Sequence, residues 1–345
     1  ARFYAADLVG GSLGTLLLIP TMEMLGGPAA LVVSGTAVAL ASVLLERRQR
    51  WRGSIVGALL VSLVVVQLRT DVFGFDVELR VQEREKAAPK VLAKKWNAFS
   101  RVIALEGRGW DRGLSTRRWN ELKGRLAPQI EAVIDINAFA PLVKFEGDLN
   151  RVNHLRDVVS NIGYHLLPEG RRVAIIGSGG GKDIVGALLF RPEKVVAIEI
   201  NPILVEDFAQ GLFRGFTGGI YDHPRVRAIV GDARNELDLL DDRFDLINAN
   251  SVATWAAHSS GAMNLSEQNL FTDAAFRIYF ERLKPGGILS FSLWDDDEHA
   301  IILRLFATAK AATEGRDIAP LASRVAVIAN RWENGGIFST TLISN

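Results

Sequence analysis

The stretch from residue 173 to residue 202 constrains the fold most strongly. Its sequence, VAIIGSGGGKDIVGALLFRPEKVVAIEINP, predicts a strand, a glycine-rich turn, a helix from about Lys182 and a second strand ending at Glu199. Two parallel strands joined through a helix are the crossover unit of α/β folds. The turn at the end of the first strand is where such folds commonly bind nucleotides.

Further short apolar runs continue this pattern from about residue 160 to the end of the chain. Helical stretches separate the first five runs, which predicts a mostly parallel sheet covered by helices. Only RWENGG separates the last two, so these should pair antiparallel. The prediction is an α/β domain with the Rossmann-like fold of S-adenosylmethionine-dependent methyltransferases, a parallel sheet with an antiparallel terminal hairpin. The strand candidates are RRVAIIG, KVVAIEI, RVRAIVG, FDLINAN, GILSFSL, RVAVIAN and IFSTTLIS.

The amino-terminal part of the chain is strongly apolar. Residues 1–70 contain three apolar runs without Lys or Arg, ADLVGGSLGTLLLIP, GPAALVVSGTAVALASVLL and GSIVGALLVSLVVVQL, which predict about three transmembrane helices. Buried helices of a soluble core fit less well because the runs have no polar face, and a signal peptide fits less well because there are three runs. The chain begins without Met, so we expect upstream sequence with further membrane helices.

Residues 71–159 are predicted to form a linker and a small β-rich segment. Residues 71–95 are charged and mixed, as in a juxtamembrane linker or a surface strand. WNAFSRVIALEG and EAVIDINAFAPLVKFEG alternate apolar and polar residues, which indicates short strands. The predicted domains are therefore residues 1–70, 71–159 and 160–345.

The glycine turn favours a nucleoside with a cationic group over a dinucleotide. The dinucleotide fingerprint G-x-G-x-x-G needs a glycine where Lys182 stands, and Asp183 would repel a pyrophosphate but tolerate a sulfonium. Glu199 is expected at a solvent-facing strand end, where an acid accepts hydrogen bonds from ribose hydroxyls. Asp232 follows the third strand, near the expected position of an adenine amine. The candidate nucleoside-binding residues are Gly177, Ser178, Gly179, Gly180, Gly181, Asp183, Glu199, Ile200, Asp232 and Ala233.

Five segments together resemble the spermidine synthase (polyamine aminopropyltransferase) superfamily: IGSGGGKDIVGAL, VVAIEINP, VGDAR, FDLI and YFERLKPGGIL. YAADLVGGSLG resembles a membrane segment of its bacterial, membrane-anchored branch. The resemblance implies a site for S-adenosylmethionine, its decarboxylated form or methylthioadenosine. It also implies transfer of a methyl or aminopropyl group, and a location in the bacterial inner membrane as a multi-pass protein.

The chain departs from this family on the substrate side. Aminopropyltransferases carry a D-[ST]-x-D stretch after the fourth strand, whereas Asn250 and Ala253 stand at its two acidic positions here. An amide cannot act as a general base near neutral pH. GYHLL keeps the family's Tyr164 and His165 but has Leu166 in place of the next acid. An alternative function is therefore a catalytically silent subunit of a larger membrane complex.

Two further candidates lie in the loop after the fourth strand. His258 and Glu267 are possible acid–base groups over the nucleoside, or ordinary loop and helix-start residues. The acids of WDDDEHA (294–300) are expected to cap the following helix. The chain has no cysteine, and its five histidines lack metal-site spacing, so no metal is expected.

Charge bears on partners and on orientation. The net charge is +1, with 40 basic and 39 acidic residues, so no nucleic-acid partner is expected. Membrane lipid is an expected partner, and other membrane-complex subunits or a homo-oligomer remain open. The basic cluster ERRQRWR (46–52) predicts a cytoplasmic loop. If the third apolar run then crosses the membrane fully, the domain that follows it lies outside the cytoplasm. Basic residues after the third run argue for the inside, so the side of residues 160–345 stays open.

Overall fold

The structure is a computed structural model that describes residues 2–45, 55–59, 61–62, 65–66, 89–107, 113–122, 124–135, 138–252, 269–295, 300–314, 320–332 and 336–345. The chain divides into two compact units. The first comprises Ala1–Ile103 with Ile134–Ile136, and the second comprises Ala104–Val133 with Asn137–Asn345. The boundaries predicted at residues 70 and 159 stay a prediction.

The first unit begins with two apolar helices, α1 (Arg2–Leu25) and α2 (Gly27–Leu45). Within the described residues, the segment Tyr4–Leu25 alone has the length and composition to cross a bilayer, and 0% of its most apolar window is buried. Gly27–Ala41 is shorter, and seven of the 16 residues in the third apolar run lie outside the described residues. A signal sequence near an amino terminus has the same properties as Tyr4–Leu25. The structure thus supplies one candidate span where the sequence predicts about three.

A small sheet follows, as predicted. Its four strands, β1 (Val91–Trp96), β2 (Arg101–Glu106), β3 (Gln129–Ile134) and β4 (Ala138–Val143), lie in chain order, and α3 (Thr116–Leu122) comes between β2 and β3. WNAFSRVIALEG is a turn followed by a strand, because the Asn97 side chain accepts hydrogen bonds from the backbone N–H groups of Phe99 and Ser100. An Asn that bonds the backbone two and three residues on reverses the chain locally.

The second unit contains the predicted mixed sheet of seven strands. Four neighbouring strand pairs, β5–β6, β5–β8, β6–β7 and β8–β9, are parallel, and β11 pairs antiparallel with both β9 and β10. The order across the sheet is β10-β11-β9-β8-β5-β6-β7. The strands are β5 (Arg172–Ile176), β6 (Lys194–Glu199), β7 (Val226–Val230), β8 (Phe244–Asn250), β9 (Leu283–Asp295), β10 (Val325–Arg331) and β11 (Ile337–Ser344).

Helices connect these strands and cover both faces of the sheet. Short 3-10 segments, Leu149–Asp157 and Val159–Asn161, and α4 (Ile162–His165) precede β5. Later connections contain α5 (Lys182–Leu188), a π-helix (Ile203–Leu212), α6 (Arg214–Thr217), α7 (Ala233–Leu239), α8 (Asp273–Arg282) and α9 (Ala300–Thr313). Shorter 3-10 turns lie at Ile220–Asp222, Asn269–Phe271 and Leu321–Ser323.

The two faces of the sheet differ in chemistry. On the α8 face, Phe276 stacks on Phe291 of β9, with ring centroids 5.3 Å apart, in an apolar core that includes Ile247 and Ala249 of β8. Side chains alternate along a strand, so Asn248 and Ser290 face the other way, where α4 packs. A Cβ on Gly163 of α4 would lie 3.1 Å from Leu246 Cδ1. Buried polar groups therefore lie beneath α4.

Candidate nucleoside-binding site

The glycine turn lies between β5 and α5, as the sequence predicts. Gly177, Gly179 and Gly181 have φ values of 68°, 54° and 93°, in the left-handed region that favours glycine. The N–H groups of Gly177 and Ser178 donate to the carbonyl oxygen of Ile198 at 2.9 and 3.1 Å. The turn is thus fixed to the end of the neighbouring strand β6.

Close packing restricts this turn as much as its dihedral angles do. A Cβ on Gly180 would lie 2.6 Å from the Pro141 carbonyl oxygen of β4. A Cβ on Gly181 would lie 2.7 Å from Ile220 Cγ2. Real Cβ atoms do not approach other atoms this closely, so these two positions need glycine for space.

Glu199 is buried, which corrects the expectation of a solvent-facing strand end. The side chain is 6% exposed, and its Oε2 accepts the Gly179 N–H at 2.8 Å while Oε1 accepts the Asn201 N–H at 2.9 Å. Burial raises the pKa of the Glu199 carboxyl above its ordinary 4.5, and the backbone hydrogen bonds oppose that rise. The carboxylate therefore holds the glycine turn in place, a structural role that sequence reasoning missed.

Tyr221 is a second residue that sequence reasoning missed. Its hydroxyl lies 2.9 Å from Ser178 Oγ and 2.6 Å from the Gly179 carbonyl oxygen. Burial raises the pKa of Tyr221 well above 10.0, and the charge of Glu199 adds to the rise. The hydroxyl therefore stays neutral and donates to the Gly179 carbonyl oxygen, while Glu199 accepts the N–H of the same residue. No pattern in the sequence distinguishes Tyr221 from other tyrosines.

Asp183 and Asn250 meet at the carboxyl edge of the sheet. Asn250, the last residue of β8, donates from Nδ2 to Asp183 Oδ1 at 3.0 Å. Asp183 lies in the first turn of α5 and is 9% exposed. Asn250 Oδ1 in turn accepts from the hydroxyl of Ser251 at 3.2 Å. The structure thus brings a nucleoside-side candidate and a substrate-side candidate together.

Tyr164 and His165 separate at the end of α4. Tyr164 is 1% exposed, and burial together with the charge of Asp183 raises the pKa of its hydroxyl. His165 packs edge-on against Phe190, with centroids 4.7 Å apart, and its Nε2 lies 3.0 Å from the Arg156 carbonyl oxygen. Tyr164 is therefore a buried, neutral side chain, and the contacts described for His165 lie with Phe190 and Arg156.

The remaining candidates lie beside β6 and β7 or outside the described residues. Asp232 is half-buried and accepts the Asn235 N–H at 3.0 Å, which caps α7. Ala233 is buried, and Ile200 is 41% exposed directly after Glu199. The Gly231 N–H donates to the Glu199 carbonyl oxygen at 2.9 Å, so the two strand ends are adjacent. His258, Glu267 and the acids at 296–298 lie outside the described residues, as does Ala253.

The described residues contain no group of three or more His, Asp or Glu side chains placed to hold a metal ion. Among the described residues, the candidate site consists of the glycine turn, the acidic side chains at 183, 199 and 232, Asn250 and the buried Tyr221.

Comparison with known proteins identifies the family. The model of the spermine/spermidine synthase domain matches residues 154–337, just over half of the chain. The chain belongs to the spermine/spermidine synthase family. This match includes the whole glycine turn, Glu199, Asp232 and Asn250, so the departure at position 250 occurs inside a recognisable family domain.

The individual proteins that match this chain have low sequence identity to it. A polyamine aminopropyltransferase from Thermococcus onnurineus (strain NA1) is 29% identical over 122 residues, which are 35% of this chain and 39% of that relative. The alignment thus spans well under half of the relative's length. The spermidine synthase structure from Thermotoga maritima has a TM-score of 0.46 at 16% identity, covering 74% of this chain and 72% of that one. A spermidine synthase in complex with the transition state analogue AdoDATO has a TM-score of 0.48 at 17% identity, covering 74% and 73%.

Proposed function

We propose that this chain is an aminopropyltransferase that binds decarboxylated S-adenosylmethionine at the glycine turn and transfers its aminopropyl group to an amine. The observation that carries the proposal is the family match over residues 154–337, which contains the glycine turn, Glu199 and Asp232. The S-adenosylmethionine alternative, with methyl transfer, lacks comparable support. Neither the fold nor the comparisons supports the alternative of a catalytically silent subunit.

The residues present suit such a nucleoside. An ionised carboxylate has about four acceptor positions, and the two described backbone bonds leave Glu199 with capacity for ribose hydroxyls. Ile200 offers an exposed apolar surface beside it, which suits a base. Asp232, half-buried after β7, would accept from an adenine amine. The site also lacks a dinucleotide fingerprint, because Lys182 stands at its third glycine position.

The chemistry requires mainly positioning from the protein. The bound nucleoside would supply a sulfonium-linked carbon; the amine nitrogen forms a bond to it, and the electron pair of the broken S–C bond remains on sulfur. Holding two reactants in line accounts for a large part of such a barrier. The turn, Glu199 and Asp232 hold one reactant, and the edge formed by Asp183 and Asn250 faces the other.

Binding by calorimetry tests this proposal. The full chain is titrated with decarboxylated S-adenosylmethionine, S-adenosylmethionine and methylthioadenosine. Asp232→Asn preserves a good helix cap but removes the charge, and affinity should fall roughly tenfold, since charge-assisted hydrogen bonds are about twice as strong as neutral ones. Asp241→Asn, an exposed residue before β8, is the control and should leave affinity unchanged. If none of the three nucleosides binds at millimolar concentration, the proposal is wrong.

We also propose that the amino-terminal helix attaches the protein to a membrane. Its apolar side chains are exposed, as with Leu13 at 53% and Leu17 at 62%. Leu13→Arg with Leu17→Arg should transfer the protein from the membrane fraction to the carbonate-soluble fraction, since a central Arg costs about 2.5 to 3.5 kcal/mol on insertion. Leu212→Arg, at a leucine that is 63% exposed in the second unit, is the matched control. Equal membrane retention of all three proteins would contradict the proposal.

A further inference from the structure

The turn between the two amino-terminal helices contacts the small sheet. α1 ends at Leu25, and Gly26, with a φ of 80°, separates it from α2. A Cβ on Gly26 would lie 2.9 Å from Trp96 Nε1, and a Cβ on Gly27 would lie 2.8 Å from Trp96 Cζ3. Since Trp96 is the last residue of β1, the end of this strand packs against the carboxyl-terminal end of α1.

Exposed apolar side chains lie on both sides of this contact. The Asn97 N–H donates to the Ser100 carbonyl oxygen at 3.0 Å and closes the tight turn between β1 and β2. Phe99 within that turn is 58% exposed, and Met24 in the last turn of α1 is 82% exposed. Single exposed apolar residues are ordinary on protein surfaces, but these adjoin a helix whose own apolar side chains are exposed. Together they indicate a surface that faces lipid.

The length of α1 fixes the depth of this surface in a bilayer. A helix of 24 residues extends about 36 Å, and the hydrocarbon core is roughly 30 Å thick. The last turn of a spanning α1 therefore reaches the headgroup region, and the Trp96 ring, which touches the two residues that follow, lies at the same level. Tryptophan is enriched at this level because its ring is apolar and its N–H can meet polar groups.

We propose that the β1–β2 turn lies in the lipid headgroup region at the membrane face where α1 ends, with the rings of Trp96 and Phe99 in contact with lipid. This inference rests on the proposed membrane attachment, of which it specifies the surface and the side. After β1, no helix within the described residues has the length and composition to cross a bilayer. The strands that carry the glycine turn therefore follow on this same side of the membrane.

Cysteine labelling tests the side, because the chain has no cysteine and each single-cysteine variant of the full chain reports alone. Ala98→Cys lies in the β1–β2 turn, Glu23→Cys lies near the end of α1, and Ala1→Cys directly precedes that helix. A membrane-impermeant maleimide is applied to sealed membrane vesicles of each orientation. It should label Ala98→Cys and Glu23→Cys from one side, and Ala1→Cys from the other.

The outcomes separate this inference from the proposals on which it depends. If Ala98→Cys is labelled from the side of Ala1→Cys while Glu23→Cys is labelled from the other, α1 spans the membrane but the inference is wrong. If Glu23→Cys and Ala1→Cys are labelled from one side, α1 does not cross, and the inference fails together with a spanning helix. Nucleoside binding is measured separately by calorimetry, so the proposed aminopropyl transfer is unaffected by either result.

Fluorescence quenching tests the contact with lipid. An environment-sensitive fluorophore on Ala98→Cys should lose fluorescence when the vesicles contain lipids with a quencher in the headgroup region. The matched control is the same fluorophore on Ala307→Cys, at an exposed alanine of α9, which should keep its fluorescence. In the Ala98→Cys background, Phe99→Ser should reduce the quenching and Phe99→Leu should preserve most of it, because an apolar side chain remains. Equal quenching at positions 98 and 307, or quenching that Phe99→Ser does not change, would overturn the inference.

Discussion

Glu199→Gln gives the sharpest test of how the glycine turn is held. Both carboxylate oxygens accept backbone N–H groups, from Gly179 at 2.8 Å and from Asn201 at 2.9 Å. A glutamine has one oxygen, so its NH₂ group must face one of these N–H donors. A buried hydrogen bond to a charged group contributes roughly 1.5 to 3 kcal/mol, and the variant loses one.

Amide hydrogen exchange measures this loss where it occurs. A local loss of that size should speed exchange in peptides covering residues 177–181 or Asn201 by roughly 10- to 150-fold, while peptides from α8 stay unchanged. Glu206→Gln, the same substitution at an exposed residue of the π-helix, should leave exchange in residues 177–181 unaltered. Unchanged exchange in Glu199→Gln would refute the structural role of this carboxylate.

The direction of the Glu199 pKa shift also predicts how the stabilities of the wild type and Glu199→Gln depend on pH. Burial raises the pKa of Glu199 above 4.5, so the folded protein holds this proton more tightly than the unfolded chain does. The contribution of Glu199 to stability is therefore fully present below the unfolded pKa and is lost as pH rises through the folded pKa. Melting temperatures of wild type and Glu199→Gln between about pH 4 and 8 should show the wild type's relative advantage decreasing with pH. If the melting temperature of the wild type instead rises relative to that of Glu199→Gln as pH increases, the predicted direction is wrong.

Three further predictions concern the turn and the edge of the sheet. Gly180→Ala should lower the unfolding free energy by about 1 to 3 kcal/mol in chemical denaturation, because its Cβ would lie 2.6 Å from the Pro141 carbonyl oxygen. Gly215→Ala, whose Cβ meets nothing within 4 Å, is its control. Tyr221→Phe should cost about 1 to 2 kcal/mol in the same assay, through the hydroxyl contacts with Ser178 and Gly179, and no change would show that they contribute nothing. Asn250→Asp should lower the melting temperature increasingly from about pH 5 to pH 8, because two carboxylates at 3.0 Å resist ionising together. A pH-independent difference would mean that the new side chain turns away from Asp183.

The sheet and its turn were predictable because their signals are local. β-branched runs such as VAII and VVAI, separated by glycines and one short helix, specify β5, α5 and β6 within 30 residues of sequence. The terminal hairpin follows from the short RWENGG connection, and the antiparallel register of Val325 with Ile343 confirms it. The family resemblance rests on five segments, two of which come from this β5–α5–β6 unit, and the family match confirms the spermidine synthase-like domain.

The contacts that hold the glycine turn could not be predicted, because they join residues that are far apart in the sequence. Tyr221 is 42 residues from Gly179 in sequence and reaches it only through the packing of the Ile220–Asp222 segment against the turn. The direction of the Glu199 side chain is likewise a property of the folded sheet. A carboxylate at a strand end can point to solvent or back to the preceding turn, and only the folded arrangement shows that the Gly179 N–H is its partner.

Asn250 shows why a substitution within a family pattern can mislead when it is considered at one position. The loss of the acid argues against amine recognition only if no neighbouring element supplies a carboxylate. Parallel strands place their carboxyl ends, and the helices that follow them, at one edge, so a residue 67 positions away can occupy the same space. The Asp183 carboxyl group therefore lies at the edge of the sheet where the residue at position 250 has none of its own. The pH dependence of melting in Asn250→Asp tests whether the side chains at 183 and 250 share that space.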